Sequence, residues 1–444
     1  MENIIHEPQQ RIILPEINKS VLAARGKDYS IKAFYAAMRL TKESGNEIID
    51  IGSSVVVDPL EIPHTHDVIE RAHAESLRRG DYIEYASSYG TSELRTAIAR
   101  YFKRWGNIDI DPNPEVMVTR GIIDSYDRVL QSLDITHVII PSWAPYYARS
   151  HATINGKEIL EVPIDIETGN LDLSTLEKRL QEKGVLPGKA LLYITHPSAP
   201  LGTVMEDQFI EGELIPYLRG KGIVLFSDSY IEYTRFDGKA PLKPILSYTG
   251  AKDIAVEAVT VSKELGLPGA RAGGIAGNRE IINAVRILAA TKVDIVPGYS
   301  QILAAKALDE IKASTAGDRI KQELEQEILP RFEAMGWPVI KPAAGIDMLI
   351  LVPKHFVRDD IDNPSLLAAF SLLRRFGIAL CPCSTLGTDG KYVLRLVLKQ
   401  ERGKIPMALD KLKAEGFDWE TYEPNDEDRA YLQRLLSELD LTKL

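Results

Sequence analysis

Apolar and polar residues alternate over Asp253–Val261 (DIAVEAVTV), which predicts a strand with one buried face. Shorter apolar runs at Glu115–Thr119, His137–Pro141, Lys157–Pro163, Lys189–Thr195 and Gly222–Ser227 predict further strands. Between them the spacing turns helical, over Asp124–Leu133, Leu173–Lys183 and Glu206–Arg219. Upstream, Thr91–Trp105 is amphipathic, with Leu94, Ile98 and Tyr101 on one face and Ser92 as its cap. Strands alternating with helices in this way require right-handed crossovers. The expected fold class is therefore α/β, a mainly parallel sheet with helices on both faces.

The flanks differ. Tyr29–Ser44 predicts a weak helix bearing Ile31, Phe34, Met38 and Leu40, Glu47–Val57 a strand entering a Gly-Ser turn, and Pro63–Arg79 a helix. Past Ser300-Gln301 a long helical stretch runs to about Met335. Then come strand Gly345–Val352, helix Ser365–Phe376, strands Ile378–Pro382 and Tyr392–Leu398, and helix Ile405–Glu415, a smaller α+β region. The acidic segment Glu423–Arg429 reads as a solvated end. These patterns divide the chain into an N-terminal arm and helix (1–50) packing with the small domain, a large domain (51–310) and a small C-terminal domain (311–444).

In such a sheet the loops after the strands collect at one edge, where ligands bind. Those loops carry Gly121, Trp143, the turn His196-Pro197-Ser198-Ala199-Pro200-Leu201-Gly202, Asp228 and Lys263. The last is the densest in chemistry. After the strand the chain breaks at Gly266, Pro268 and Gly269, so Lys263 leaves a strand end on a loop. Arg271 lies close by in sequence, and Thr260 and Ser262 add hydroxyls. Together they can hold a phosphate and offer an amine for a Schiff base. The same residues also suit a solvated strand end with two surface cations.

Composition narrows the choice. At 444 residues, 45% hydrophobic and 26% charged, the chain has the make-up of an ordinary two-domain globular protein. A net charge of −10, with acids and bases interspersed, argues against nucleic-acid or anionic-membrane partners. It leaves room for one anionic ligand held by local cations. The two cysteines, Cys381 and Cys383, flank Pro382 and are poor disulfide partners, and no clustered His completes a metal set. Free thiols, a start (MENIIHEPQQ) without signal-peptide character and no apolar stretch of about 20 residues point to a cytoplasmic protein.

Over about Gly52 to Leu398 the chain resembles the class I/II aminotransferases, pyridoxal 5'-phosphate (PLP) enzymes of fold type I. The most specific match is S-K-x(4)-P-G-x-R-x-G at Ser262–Gly273. The resemblance implies that Lys263 forms the Schiff base with PLP and Arg271 grips its phosphate, with Thr260 and Ser262 beside them. A lysine can exchange its imine for the substrate's amine and then act as base at Cα. Asp228 matches the carboxylate that pairs with the pyridinium nitrogen, and Trp143, in P-S-W-A-P-Y, the aromatic that stacks on the ring. Val118-Thr119-Arg120-Gly121 before a helix resembles the phosphate-holding loop, placing Gly121 and Ile122 there. Tyr85 resembles the tyrosine that reaches the neighbouring subunit's phosphate, which implies a homodimer with shared active sites. Arg395, in Y-V-L-R-L-V-L, resembles the arginine that binds the substrate α-carboxylate, and Gly52 the glycine lining the substrate pocket.

The pattern departs from the family at two positions. The turn H-P-S-A-P-L-G places Ala199 where the family has an asparagine donating to the PLP 3′-oxygen. The family's Asp-x-x-Tyr is Asp228-Ser-Tyr230 here, with Ile231 one place on, so Tyr230, Ser198 or His196 would have to substitute. Cys383 also replaces a common glycine, which narrows the expected substrate pocket. The expected activity is transamination of a free amino acid to its keto acid. The alternatives are a lyase, cyclase or side-chain-replacing PLP enzyme, and a binding protein that keeps the fold as an effector domain.

Overall fold

The computed structural model describes residues 19–24, 29–43, 45–53, 65–229, 235–263, 265–311, 314–387 and 390–438. In chain order its strands are β1 (Ile49–Asp50), β2 (Val116–Thr119), β3 (His137–Pro141), β4 (Glu158–Val162), β5 (Ala190–Thr195), β6 (Val224–Ser229) and β7 (Ala255–Thr260). There follow β8 (Gly273–Gly277), β9 (Val339–Ile340), β10 (Asp347–Leu351), β11 (Ile378–Ala379), β12 (Cys381–Pro382) and β13 (Val393–Val397).

Apolar runs as continuous as ALLYIT need cover on both faces, and every residue of β2, β3, β5 and β7 is buried. They form a seven-stranded sheet in the order β2-β8-β7-β6-β5-β3-β4. Its pairs are parallel except where β8 meets β2 and β7. The alternation in β7 therefore does not mark a solvent face. Glu257 is fully buried and its carboxylate accepts from Leu246 N at 3.0 Å and from the Ser229 hydroxyl.

β8 has no hydropathy signal because it is largely glycine, and it is absent from the sequence expectation. A Cβ at Gly273 would stand 2.3 Å from Val259 O, so only glycine permits this pairing. By sequence Tyr146 and Tyr147 belong to the loop after β3, whereas helix Tyr146–Ile154 begins there, and helix Arg279–Lys292 was not anticipated. The helical stretch after Ser300 is not continuous: Gly298–Glu310 ends where Ile311 turns extended, and Ser314–Glu323 begins anew. The cap of helix Ser92–Gly106 is Thr91, whose side chain accepts from Leu94 N at 3.3 Å, rather than Ser92.

A second sheet, β12-β13-β10-β9, is antiparallel, and the parallel pair β1–β11 ties the start of the chain to it. Ile31, Phe34 and Met38 of helix Tyr29–Glu43 share a core with Leu366 and Phe370 of helix Pro364–Phe376. The C-terminal segment is not a solvated end. Asp428 is 1% exposed and is held by Arg374 and Arg375, and Leu435 is buried in the same core. The predicted strand beyond residue 53 lies outside the described residues.

Candidate active site

Register builds one end of the site. Gly273 of β8 pairs with Thr119 of β2 on one side and Thr260 of β7 on the other. Because it lacks a side chain, the Gly121 Cα sits just 3.3 Å from where its Cβ would be. Gly121 itself has φ 104°, a conformation other residues rarely adopt, and begins helix Ile122–Ser132 without a side-chain cap. A Cβ at Gly121 would fall 3.4 Å from Thr260 Oγ1 and 3.9 Å from Arg271 Nη2. The Thr260 and Ser262 hydroxyls lie 2.9 Å apart, and Arg271, at φ 47°, is steadied by donating Nη1–H to Pro268 O at 3.2 Å. Backbone N–H groups at a helix start, two hydroxyls and a guanidinium around a side-chain-free cradle suit a phosphate.

Asp228 stands fully buried near the end of β6. Its Oδ2 accepts from Tyr147 Oη–H at 2.6 Å and Tyr193 Oη–H at 2.5 Å. Its Oδ1 has no hydrogen-bond partner among the described residues. Burial pushes its pKa up to about 6, while the two phenols hold it down. An orphaned buried oxygen is costly, and a protonated ring nitrogen would relieve that cost.

Lys263 and Arg395 line a cavity of about 330 Å³ whose walls include Ile31, Tyr35, Tyr146 and Ile346. Burial, then the charge of Arg395, lowers the Lys263 pKa, with Asp347 opposing, which raises the share of neutral, nucleophilic amine. Lys399 donates to the Lys263 carbonyl at 2.7 Å and braces the turn. Arg395, on β13, donates Nη2–H to Gly52 O at 3.2 Å, and its Nε lies 3.7 Å from Asp347 Oδ1. A Cβ on Gly52 would meet Cys381 N at 2.4 Å, so the close approach requires glycine.

The structure thus gathers Lys263 and Arg395 at the cavity, with Gly52 touching Arg395, and Gly121, Thr260, Ser262 and Arg271 at the cradle. Ile122 opens the helix there and is buried, and Ile123 lines the cavity. Trp143 packs off the cavity against Leu201, Leu349, Cys383 and Leu386. Cys383 is therefore buried in that cluster and is not among the cavity-lining residues, so it does not narrow the pocket directly. Ala199 lines the cavity, whereas Ser198 and His196 line a separate small void beside Trp143. Tyr85 is 93% exposed, and Tyr230 lies outside the described residues.

Sequence reasoning missed Tyr147, Tyr193, Asp347 and Lys399. A tyrosine inside the apolar run ALLYIT was a usable signal, because a buried phenol needs a partner. Asp347 carried a similar one, as the lone acid in the apolar stretch IDMLIL.

The family described as aminotransferase class I and II matches residues 47–412. The chain belongs to that family. This aminotransferase is 26% identical over 383 residues to LL-diaminopimelate aminotransferase 2 of Nostoc sp., a match spanning 84% of this chain and 92% of the relative. It is 25% identical to the L-glutamine–4-(methylsulfanyl)-2-oxobutanoate aminotransferase of Bacillus subtilis, spanning 81% and 87%. In fold it resembles the N-succinyldiaminopimelate aminotransferase structure from Mycobacterium tuberculosis (TM-score 0.76, 18% identity, covering 90% of this chain and 100% of that one). The aspartate aminotransferase structure from Thermus thermophilus gives TM-score 0.75 at 19% identity, with coverage of 90% and 100%. Such enzymes use PLP, and the residues present fit it, since Thr260 and Arg271 face the side-chain-free Gly121 as donors for a phosphate and the Asp228 Oδ1, without a partner among the described residues, can meet a ring nitrogen. Transamination is therefore the activity, and the lyase and cyclase alternatives are not favoured.

Proposed function

We propose that this aminotransferase acts on a free amino acid, with Lys263 as the residue that bonds PLP and then moves the proton at the substrate's Cα. Lys263 and Arg395 facing one cavity is the observation that carries the reading. Bound PLP supplies an electron sink for the pair left at Cα. Asp228, whose Oδ1 has no partner among the described residues, would hold the proton on the ring nitrogen. Gly121, Ile122, Thr260, Ser262 and Arg271 would hold the phosphate. Arg395, braced by the Gly52 carbonyl, binds the substrate carboxylate and aims Cα at the Lys263 amine. Over a full cycle the substrate would leave as its keto acid and its amino group would pass to a second keto acid. The named relatives act on amino acids, which supports this substrate class.

The large domain (51–310) supplies the cofactor end and the small domain (311–444) supplies Arg395. Tyr85 at 93% and Ile83 at 88% exposure support a homodimer in which this loop meets a second copy. Two buried, unbridged cysteines support a reducing, cytoplasmic setting. No described helix is long and apolar enough to cross a membrane.

Borohydride reduction of the PLP-loaded protein followed by peptide mass spectrometry tests the assignment. The expected result is a pyridoxyl group on Lys263 and loss of the visible cofactor band on adding a single amino acid, with keto acid released. An unmodified Lys263 would overturn it.

A further inference from the structure

We propose that Lys399 is a positioning residue that holds the Lys263 turn from the second sheet and so sets how fast Lys263 bonds PLP, without setting how tightly the cradle takes the phosphate. The proposal rests on the functional reading above and adds a residue to it. Lys399 lies just past the end of β13, is 5% exposed, and donates Nζ–H to the Lys263 carbonyl at 2.7 Å. Lysine is rarely buried unless its ammonium has a partner. Here a partner is the main chain of the residue that carries the reactive amine.

The base from which Lys399 reaches is itself fixed. Val397 N–H donates to Ile51 O at 2.8 Å, Leu398 N–H to Ile346 O at 2.6 Å, and Gln400 Nε2–H to Ser53 O at 3.3 Å. Across the contact, Ser262 N–H donates to Thr260 Oγ1 at 3.2 Å and Leu267 N–H to Val261 O at 3.1 Å, so the turn around Lys263 is held within its own loop. Lys399 adds a tie from a different sheet. β13 belongs to the four-stranded sheet, and β7, which leads into Lys263, to the seven-stranded one. β13 also bears Arg395, so one element locates both the amine and the guanidinium that face the cavity.

In the covalent step the neutral Lys263 amine adds its lone pair to the PLP aldehyde carbon. A C=N bond forms, and the aldehyde oxygen leaves with two protons as water. The lysine side chain is flexible, but its reach begins at a backbone that the ammonium–carbonyl bond fixes. A misplacement of about 1 Å can slow a step about 10²-fold. Capture of the phosphate is assigned to Gly121, Thr260, Ser262 and Arg271, so capture and bond formation are separable.

The experiment mixes apoprotein with rising concentrations of PLP and follows growth of the visible cofactor band by stopped-flow absorbance. The half-saturating concentration reports capture by the cradle, and the limiting rate reports bond formation by Lys263. Lys399→Met keeps the apolar stem and removes the donor. It should lower the limiting rate by about tenfold or more, as expected for loss of a charge-assisted hydrogen bond, and move half-saturation by less than about threefold. A variant that melts cooperatively as apoprotein yet keeps the wild-type limiting rate overturns the proposal, as does one in which half-saturation alone moves. If the variant does not fold, brief labelling of wild-type apoprotein with an amine-reactive reagent decides. Lys399 should be modified at least about tenfold more slowly than Lys178, whose side chain is 75% exposed, and equal labelling overturns the proposal. Borohydride-trapped PLP on wild-type Lys263 with no effect of Lys399→Met would sink this inference and leave the functional reading intact. An unmodified Lys263 in the wild type would remove both.

Discussion

The cofactor end and the substrate end of this site are built by different means. The cradle comes from neighbouring strands of one sheet, where register alone aligns Thr119, Gly273 and Thr260 and brings Gly121 against them. Its groups are backbone, hydroxyls and missing side chains, which fit a phosphate whatever the substrate. The substrate end is assembled from remote segments: Ile31 and Tyr35 near the start of the chain, Gly52, Asp347 and Arg395. The contrast teaches that one end supplies the chemistry common to the family, while the other is where this chain can differ from its relatives.

The most severe way to break the comparison acts where the two ends meet. Lys263→Ala should abolish borohydride-trapped PLP and cut turnover at least about 10³-fold, since the loss of a positioned acid–base group alone costs about 10²–10⁴. Arg395→Gln should act on the substrate end alone. Charge-assisted hydrogen bonds worth about 1.5–3 kcal/mol disappear, so KM rises about 10- to 100-fold while the cofactor spectrum is unchanged. Gly121→Ala should do the reverse. It forces a side chain into φ 104° at a strain of about 1–3 kcal/mol, so PLP affinity falls by about tenfold or more while the KM of the loaded enzyme moves little.

The smallest effect sharpens the cofactor end. With its pKa raised to about 6, Asp228 in the PLP-free protein takes up a proton as pH falls through that value. A neutral carboxyl pairs poorly with a protonated ring nitrogen, so PLP affinity should weaken below about pH 6 and be full above it. Tyr147→Phe removes one of the two hydrogen bonds that hold this pKa down, and the midpoint of PLP binding should move to higher pH. A midpoint that stays put, measured by absorbance titration of PLP into the apoprotein, would show that Tyr147 does not tune Asp228.

Much of the large sheet was legible in sequence because its strands are continuous apolar runs and the loops after them carry distinctive residues. β8 was not, since glycine has no place in a hydropathy pattern and its role is to be absent where another backbone must pass. Helix Tyr146–Ile154 escaped notice for a related reason. Its opening pair of tyrosines looked like a loop, although one of them, Tyr147, reaches Asp228. Lys263, Arg271 and Asp228 could be named in advance because their neighbours along the chain form compact motifs.

Local sequence determined the strand–helix alternation, the lysine on a Gly/Pro-broken turn and the arginine that follows it, since these depend on residues a few positions apart. Tertiary structure decided which oxygen of Asp228 remains free, that Trp143 packs off the cavity and that Asp347 stands beside Arg395. Those facts depend on side chains from distant segments competing for one buried space. Linear spacing carries no information about that competition until the chain has folded.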